Sequence, residues 1–182
     1  MTDQPAEPTP DDAAAEAVHL PVPDDPILAG LAGAFPSVEF VSFSPAAGPQ
    51  QDIAHVPAAV YPEFVAAARD SGFDAFVDLC GVDYLRRDPR FEIVVNLLSH
   101  ERRQRLRIRV GVPGDVVASI TQVFEGASFY EREAYDLFGI RFSGHPDLTR
   151  ILLPDEWEGY PLRKDYSVGS VPVQFKEAHQ AT

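Results

Sequence analysis

Three strand-like runs in the middle of the chain, at residues 75–82, 91–99 and 104–112, constrain its fold most strongly. In the third run, three apolar residues alternate with three arginines, so the pattern predicts one buried face and one polar face. The apolar residues are Leu106, Ile108 and Val110, and the arginines are Arg105, Arg107 and Arg109. The arginine face is either solvated or a docking surface for an acidic partner. The apolar face has to be covered by a second layer.

Shorter elements on both sides of these runs supply that layer. Residues 38–43 and 52–56 are typical of further strands, whereas residues 57–70 and 113–124 carry apolar side chains at helical spacing. The sequence therefore predicts an α+β fold, a two-layer domain with helices on a mostly antiparallel or mixed sheet, followed by an extended irregular C-terminal arm.

The chain divides into three parts by composition. Residues 1–26 contain seven acidic residues, no Lys or Arg and few large apolar side chains, so we expect a disordered acidic tail. An acidic docking arm is the alternative interpretation. Residues 27–126 form the predicted two-layer domain, and residues 127–182 form a helix plus the arm. We expect deletion of residues 1–26 to leave folding and assembly nearly unchanged.

Charge, cysteine content and hydropathy limit the classes of function. Part of the formal charge of −13 lies in the acidic tail, and the rest of the chain is mildly acidic, which disfavours nucleic acid as a partner. The single cysteine, Cys80, excludes a disulfide framework and any site built from four cysteines. No apolar run is long enough for a membrane span, and we expect a cytoplasmic protein.

Residues 128–138 predict a short helix with a capping box between Ser128 and Glu131. Gly139 is the expected left-handed stop. The apolar face of this helix comprises Tyr130, Ala134, Leu137 and Phe138. The following segment is interrupted by glycine and proline yet rich in aromatic residues and arginine, so we predict that it lies against a partner.

The ionisable residues of the helix do not form a convincing active site. Glu131 and Glu133 are two apart and point to different sides, while Arg132 and Asp136 are four apart and can pair. These charges are therefore predicted to be structural or to face a partner. His145 has no second histidine at metal-ligand spacing, so we expect no metal site and no catalytic residue.

From Glu131 to Pro154 the sequence resembles the signature of the C-subunit family of respiratory complex I, also called the 30 kDa subunit of NADH:quinone oxidoreductase. The likeness continues from Glu156 to Tyr166, with Glu156 where the family has Asp, and it extends over residues 38–167 in all. The resemblance assigns the following signature residues to the partner interface: Glu131, Arg132, Glu133, Asp136, Phe138, Gly139, His145, Pro146, Asp147, Arg150, Trp157, Gly159, Pro161, Arg163, Lys164, Asp165 and Tyr166.

This resemblance implies a non-redox structural subunit that is enzymatic only as part of a complex. It would carry no cofactor of its own, with FMN and iron–sulfur clusters held by partner subunits. Its partners would be the large quinone-site subunit and neighbouring iron–sulfur subunits, on the cytoplasmic side of the cell membrane, with only indirect membrane contact. The alternatives are the equivalent subunit of a related membrane-bound hydrogenase and a stand-alone acid–base enzyme that uses His145 with Asp147 or Glu133.

Overall fold

A computed structural model describes residues 18–19, 24–43 and 51–167 of the chain. The strands are β1 (Val18–His19), β2 (Glu39–Phe43), β3 (Gln51–His55), β4 (Ala75–Asp83), β5 (Phe91–Ser99), β6 (Gln104–Val112), β7 (Val116–Ala118) and β8 (Arg141–Ser143), and the helices are α1 (Pro26–Ala34), α2 (Tyr61–Asp70) and α3 (Ala127–Phe138). The strands predicted at 91–99 and 104–112 are confirmed, and the other three predicted strands agree with the structure to within one residue.

A mixed sheet forms the first layer, with strand order β1-β2-β3-β6-β5-β4. All neighbours are antiparallel except β3 and β6, which are parallel. Ile108 of β6 lies opposite Val95 of β5, and both are fully buried, whereas Arg107 and Arg109 are only partly buried. The alternation seen in the sequence therefore separates the two faces of the sheet, as predicted.

The second layer consists of the helices, which cover the apolar face of the sheet. Phe64 of α2 is fully buried, and its ring centroid lies 6.1 Å from that of Phe40 in β2. At the other edge, the ring of Tyr130 in α3 lies 5.4 Å from that of Phe76 in β4. The predicted two-layer α+β architecture is thereby confirmed. No helix in the described part of the chain has the length and apolar character of a membrane span.

The helix predicted at residues 113–124 is wrong. Residues Pro113–Asp115 form a single 3-10 turn, in which Gly114 and Asp115 have φ values of 59° and 63°. These left-handed conformations stop helix propagation. The chain then continues as β7, which pairs in parallel with β8. Val117 in β7 and Ile120 in the turn that follows are both buried, although neither belongs to a helix.

The boundary predicted for the acidic tail also needs correction, because the domain begins before residue 27. Val18–His19 pairs with β2, and Asp25 caps α1 by accepting 3.0 Å hydrogen bonds from the amides of Ile27 and Leu28. Asp25 also pairs with Arg102. Loss of such a cap costs about 1 kcal/mol, so deletion of residues 1–26 would affect the fold. The remaining tail residues, 1–17 and 20–23, lie outside the described residues.

Candidate functional site

Helix α3 is the element to which the C-terminal arm, residues 144–167 of the described chain, is attached. The helix ends, as predicted, at Gly139, whose φ is 75°. A Cβ atom at this position would lie 2.7 Å from Arg163 Nη2 and 2.7 Å from the ring of Tyr160. The arm therefore passes directly over the end of α3, and only glycine permits both the backbone conformation and the close approach.

The start of α3 differs from the predicted capping box, which is wrong. Ser128 lies inside the helix, and the N-cap residue Gly126 makes no side-chain cap. The Glu131 side chain is fully buried and accepts a 2.8 Å hydrogen bond from the backbone amide of Ile120 instead. The sequence could not indicate this because the donor comes from the turn after β7, which folds back over the helix.

Glu131 shares the core with a second polar group, the hydroxyl of Tyr61. Neither Glu131 Oε2 nor the Tyr61 hydroxyl has a hydrogen-bond partner among the described residues, and both residues are fully buried. Burial raises the pKa of Glu131 to about 7, against the opposing effect of the Ile120 amide and the Ser119 hydroxyl. Glu131 is thus a core acid, and its place among the predicted interface residues is wrong.

Asp136 fastens the first half of the arm to the helix. Its Oδ2 accepts hydrogen bonds from three consecutive backbone amides, those of Ile151 (3.1 Å), Leu152 (2.8 Å) and Leu153 (2.9 Å). Its Oδ1 lies 2.6 Å from Arg150 Nη1 in an ion pair, and the Asp136 side chain is fully buried. Four donors therefore satisfy one buried carboxylate, which is the condition for burying such a charge.

Two arginines complete this attachment. The predicted pair between Arg132 and Asp136 is wrong, because Arg132 donates to the backbone carbonyls of Thr149 (3.1 Å) and Arg150 (2.9 Å). Arg150 in turn donates to the carbonyl of Trp157 at 3.1 Å. The arm thus has its carbonyl groups as well as its amides bonded to side chains of its own domain.

The second half of the arm is held by Arg163. Its Nε donates a 2.6 Å hydrogen bond to the carbonyl of Phe138, at the end of α3. The guanidinium lies 4.6 Å from the ring centroid of Tyr160 and 5.0 Å from that of Phe91. It also approaches Asp115, at 3.5 Å. The Arg163 side chain is therefore held by several contacts within its own chain.

Arg163→Lys should lower the free energy of unfolding of the chain by about 2 kcal/mol, because lysine cannot combine the directed hydrogen bond with stacking between two rings. Chemical denaturation with fluorescence detection measures this loss. The matched control is Arg141→Lys, at an exposed position in β8. Equal stabilities of the two variants would show that Arg163 does not hold the arm.

Asp83, which sequence reasoning missed, forms the last attachment. It is buried, accepts hydrogen bonds from Arg90 at 2.8 and 2.7 Å, and accepts one from the backbone amide of Lys164 at 2.8 Å. Arg90 bonds to Asp165 as well, at 2.7 Å. The hydrogen bonds from Arg90 hold the pKa of Asp83 far below its ordinary value. Its signal in the sequence was its place within the family likeness of residues 38–167.

His145 ties the loop after β8 to α3. Its Nδ1 accepts a hydrogen bond from the backbone amide of Asp147 at 3.0 Å, and its Nε2 lies 3.1 Å from Ser128 Oγ. Both ring nitrogens are therefore engaged in local structure, and the Glu133 side chain has no hydrogen bond or ion pair with His145. Within residues 18–19, 24–43 and 51–167, no group of three or more His, Cys, Asp or Glu residues could hold a metal ion.

The remaining predicted residues fall into two sets. Phe138 packs against the core beside Gly81. The Trp157 side chain is partly buried, and its Nε1 has no partner in the described part of the chain. Gly159 has a φ of 87° and lies under the ring of Tyr166. Pro161 is also partly buried. The exposed positions are Glu133, Pro146, Asp147, Gly159, Lys164 and Asp165.

Apolar side chains are exposed on this fastened segment. In the described part of the chain, six large apolar side chains are exposed, and four of them belong to α3 or the arm. Phe129 is 62% exposed, Leu152 61%, Leu162 51% and Ile151 37%. We call Ile151, Leu152 and Leu162 the apolar arm surface. Because Asp136 holds the amides of residues 151 and 152, two of these side chains have fixed backbone positions.

Residues 54–171 match the protein family described as respiratory-chain NADH dehydrogenase, 30 Kd subunit. This chain belongs to that family. One relative, the C subunit of NADH-quinone oxidoreductase from Roseiflexus castenholzii, is 53% identical over 100 residues, covering 54% of this chain and 58% of the relative. The NADH-quinone oxidoreductase C 1 subunit from Rhizobium meliloti is 53% identical over 106 residues, covering 57% and 53%. The match spans little more than half the length of these relatives.

This chain also matches a much longer protein, over more of its residues. The NADH-quinone oxidoreductase C/D subunit from Bdellovibrio bacteriovorus is 40% identical over 154 residues, covering 80% of this chain and 27% of that protein. Among solved structures, the trypsin-resistant fragment 1–134 of Nqo5 is similar, with a TM-score of 0.53 and 33% identity over 60% of this chain and 89% of the fragment. A chain of the archaeal membrane-bound sulfane sulfur reductase has the same fold, with a TM-score of 0.68 and 20% identity over 86% and 96% of the two chains.

Proposed function

We propose that this chain is a non-redox structural subunit in the peripheral arm of a proton-pumping NADH-quinone oxidoreductase. In this role it supports electron transfer from NADH through FMN and iron–sulfur clusters to quinone, because it holds the subunits that carry those groups in place. The chain itself contributes no catalytic residue and no cofactor. The observation that carries the proposal is an irregular arm that is fastened to its own domain while it exposes Leu152 and Leu162.

The fastening supports a docking function for a physical reason. An irregular segment that is ordered only on binding loses conformational entropy, which weakens the complex. Here the attachments by Asp136, Arg150 and Arg163 order the arm before it meets a partner. Exposed leucines on such a pre-ordered segment are suited to fill apolar pockets of a neighbouring subunit.

We propose that this neighbour is the large quinone-site subunit, with iron–sulfur subunits nearby, on the cytoplasmic side of the cell membrane. The C/D relative from Bdellovibrio bacteriovorus supports the proposal of a close neighbour. In that relative, a segment similar to this chain is part of one longer polypeptide. Two proteins joined in one chain are held at high effective concentration, which is useful when they also form a stable contact.

A related respiratory membrane complex is the second candidate. The fold similarity to a chain of the archaeal sulfane sulfur reductase supports this alternative at the level of fold. The identity of the co-purifying subunits distinguishes the two candidates. Flavin-bearing and NADH-oxidising subunits support the first, whereas hydrogenase or sulfur-reductase subunits support the second.

The combined substitution Leu152→Asp and Leu162→Asp tests the docking surface. We expect at least a tenfold loss of assembled complex, about 1.4 kcal/mol or more, since a buried carboxylate without a partner opposes binding. Co-purification of partner subunits and quinone-reductase activity measure the loss. The control is Leu85→Asp, because Leu85 is 39% exposed outside the arm. Normal assembly of the double variant would refute the proposal, provided that its melting temperature equals that of the parent chain.

A further inference from the structure

The β5–β6 turn and the start of β6 carry a group of arginines that the proposed function does not use. Arg103 and Arg105 are exposed, and neither has a hydrogen-bond or ion-pair partner among the described residues. Arg102 pairs with Asp25 through Nη2, but its Nη1 is buried without an acceptor. We call Arg102, Arg103 and Arg105 the basic hairpin. The free guanidinium groups of Arg103 and Arg105 are suited to bind carboxylates.

The register of the sheet shows which part of the chain enters beside this hairpin. In the antiparallel pair of β1 and β2, Val18 lies opposite Ser42 and His19 opposite Val41. Val18, the first residue of β1, therefore lies towards the end of the sheet where β2 finishes and β3 begins. At that same end Asp52 of β3 lies opposite Leu106 of β6, next to the basic hairpin. Val18, to which residues 1–17 are joined, thus lies at the end of the sheet that carries the basic hairpin.

The charge of residues 1–17 is opposite to that of the basic hairpin, and this segment is also long enough to reach it. Residues 1–17 contain five carboxylates and no Lys or Arg. The carboxylates belong to Asp3, Glu7, Asp11, Asp12 and Glu16. Three strand spacings separate β1 from β6, which is about 14 Å, and an extended chain covers about 3.3 Å per residue. About five residues can therefore span the gap, so the chain between Val18 and Asp12 is long enough for Asp11 and Asp12 to reach the basic hairpin.

We propose that the basic hairpin is a binding surface for an acidic peptide, and that its occupant in the free chain is the acidic segment 1–17 of the same molecule. Because the segment is tethered at β1, it competes against external acidic surfaces at a high effective concentration. The contact is electrostatic, so salt weakens it. This inference does not depend on the proposed function, since it concerns the opposite end of the chain from the apolar arm surface.

A paramagnetic label on the full chain tests the contact directly. The label is attached at Ala14→Cys in a Cys80→Ser background, which keeps all five carboxylates of residues 1–17, and amide signals are recorded in about 50 mM and about 500 mM salt. We expect selective broadening of the Arg103 and Arg105 signals at low salt and recovery at high salt. Arg103→Glu with Arg105→Glu should abolish the broadening, whereas Arg86→Glu with Arg141→Glu, at exposed sites elsewhere, should not. Unbroadened hairpin signals in the labelled parent chain would overturn the proposal.

Competition gives an independent readout. A polyglutamate peptide is titrated against the full chain and against a variant whose five carboxylates in residues 1–17 are replaced by the corresponding amides. We expect the variant to bind the peptide at least tenfold more tightly, and only when Arg103 and Arg105 are present. Equal affinity for both chains would show that the hairpin is open to an external partner and is not covered by the segment, which contradicts the proposal.

Discussion

Asp136→Asn lowers the free energy of unfolding by about 3–5 kcal/mol, the range found when one partner of a buried ion pair is removed. The substitution leaves Arg150 without its counter-ion and replaces an acceptor of three backbone amides by a weaker group. Thermal and chemical unfolding measure the loss. Limited proteolysis should show cleavage in residues 144–167 before the rest of the domain unfolds, because this carboxylate fastens the arm.

The acid dependence of the parent chain should agree with this result. Burial would raise the pKa of Asp136, but the amides of Leu153 and Leu152, followed by Arg150 and the Ile151 amide, hold it below its ordinary value. A lowered folded-state pKa adds stability above the unfolded-state pKa, and that stability is lost as the pH falls through the folded value. Asp136→Asn should lack this part of the acid transition.

Glu133→Gln is the matched control, because Glu133 belongs to the same helix but is exposed and has no bonded partner in the described part of the chain. We expect its stability to change by less than about 0.5 kcal/mol. An Asp136→Asn variant as stable as this control would show that the arm does not depend on the carboxylate.

Glu131→Gln should stabilise the chain above neutral pH. The expected effect is thus opposite to that of Asp136→Asn, which removes a carboxylate that is paired. The pKa of Glu131 is raised by burial from 4.5 to about 7. Between these values the unfolded chain releases a proton that the folded chain keeps, so stability falls as the pH rises through this window. The full shift corresponds to a loss of about 3 kcal/mol between pH 4.5 and pH 7.

Unfolding free energies at pH 4.5, 6 and 8 measure this slope. The parent chain should lose stability across the series, whereas Glu131→Gln should be flatter, since glutamine keeps the acceptor for the Ile120 amide but has no proton to release. Glu133→Gln should keep the parent slope. Identical slopes in the parent chain and Glu131→Gln would show that Glu131 does not keep its proton in the folded state.

Much of the sheet could be predicted because its information is local. Alternation of Leu106, Ile108 and Val110 with arginines requires a strand with two unlike faces, whatever the strand packs against. Gly139 could be predicted as a helix stop for a similar reason, since a left-handed residue after an apolar helical stripe favours glycine. The helix expected at 113–124 failed because tertiary pairing of β7 with β8 overrode a pattern that suits either element.

The order of the amino acids was enough to predict the α+β layers, the family signature and the position of the arm. The roles of the charged residues of α3 became apparent only from contacts between distant parts of the chain. Glu131, Glu133 and Asp136 have the same chemistry and lie within six residues, yet one is a protonatable core acid, one is exposed, and one binds three amides. Their roles differ because each is set by groups from distant parts of the chain, the Ile120 amide for Glu131 and the amides of residues 151–153 for Asp136. Helical spacing specifies where a carboxylate points, but desolvation and distant donors determine its energy.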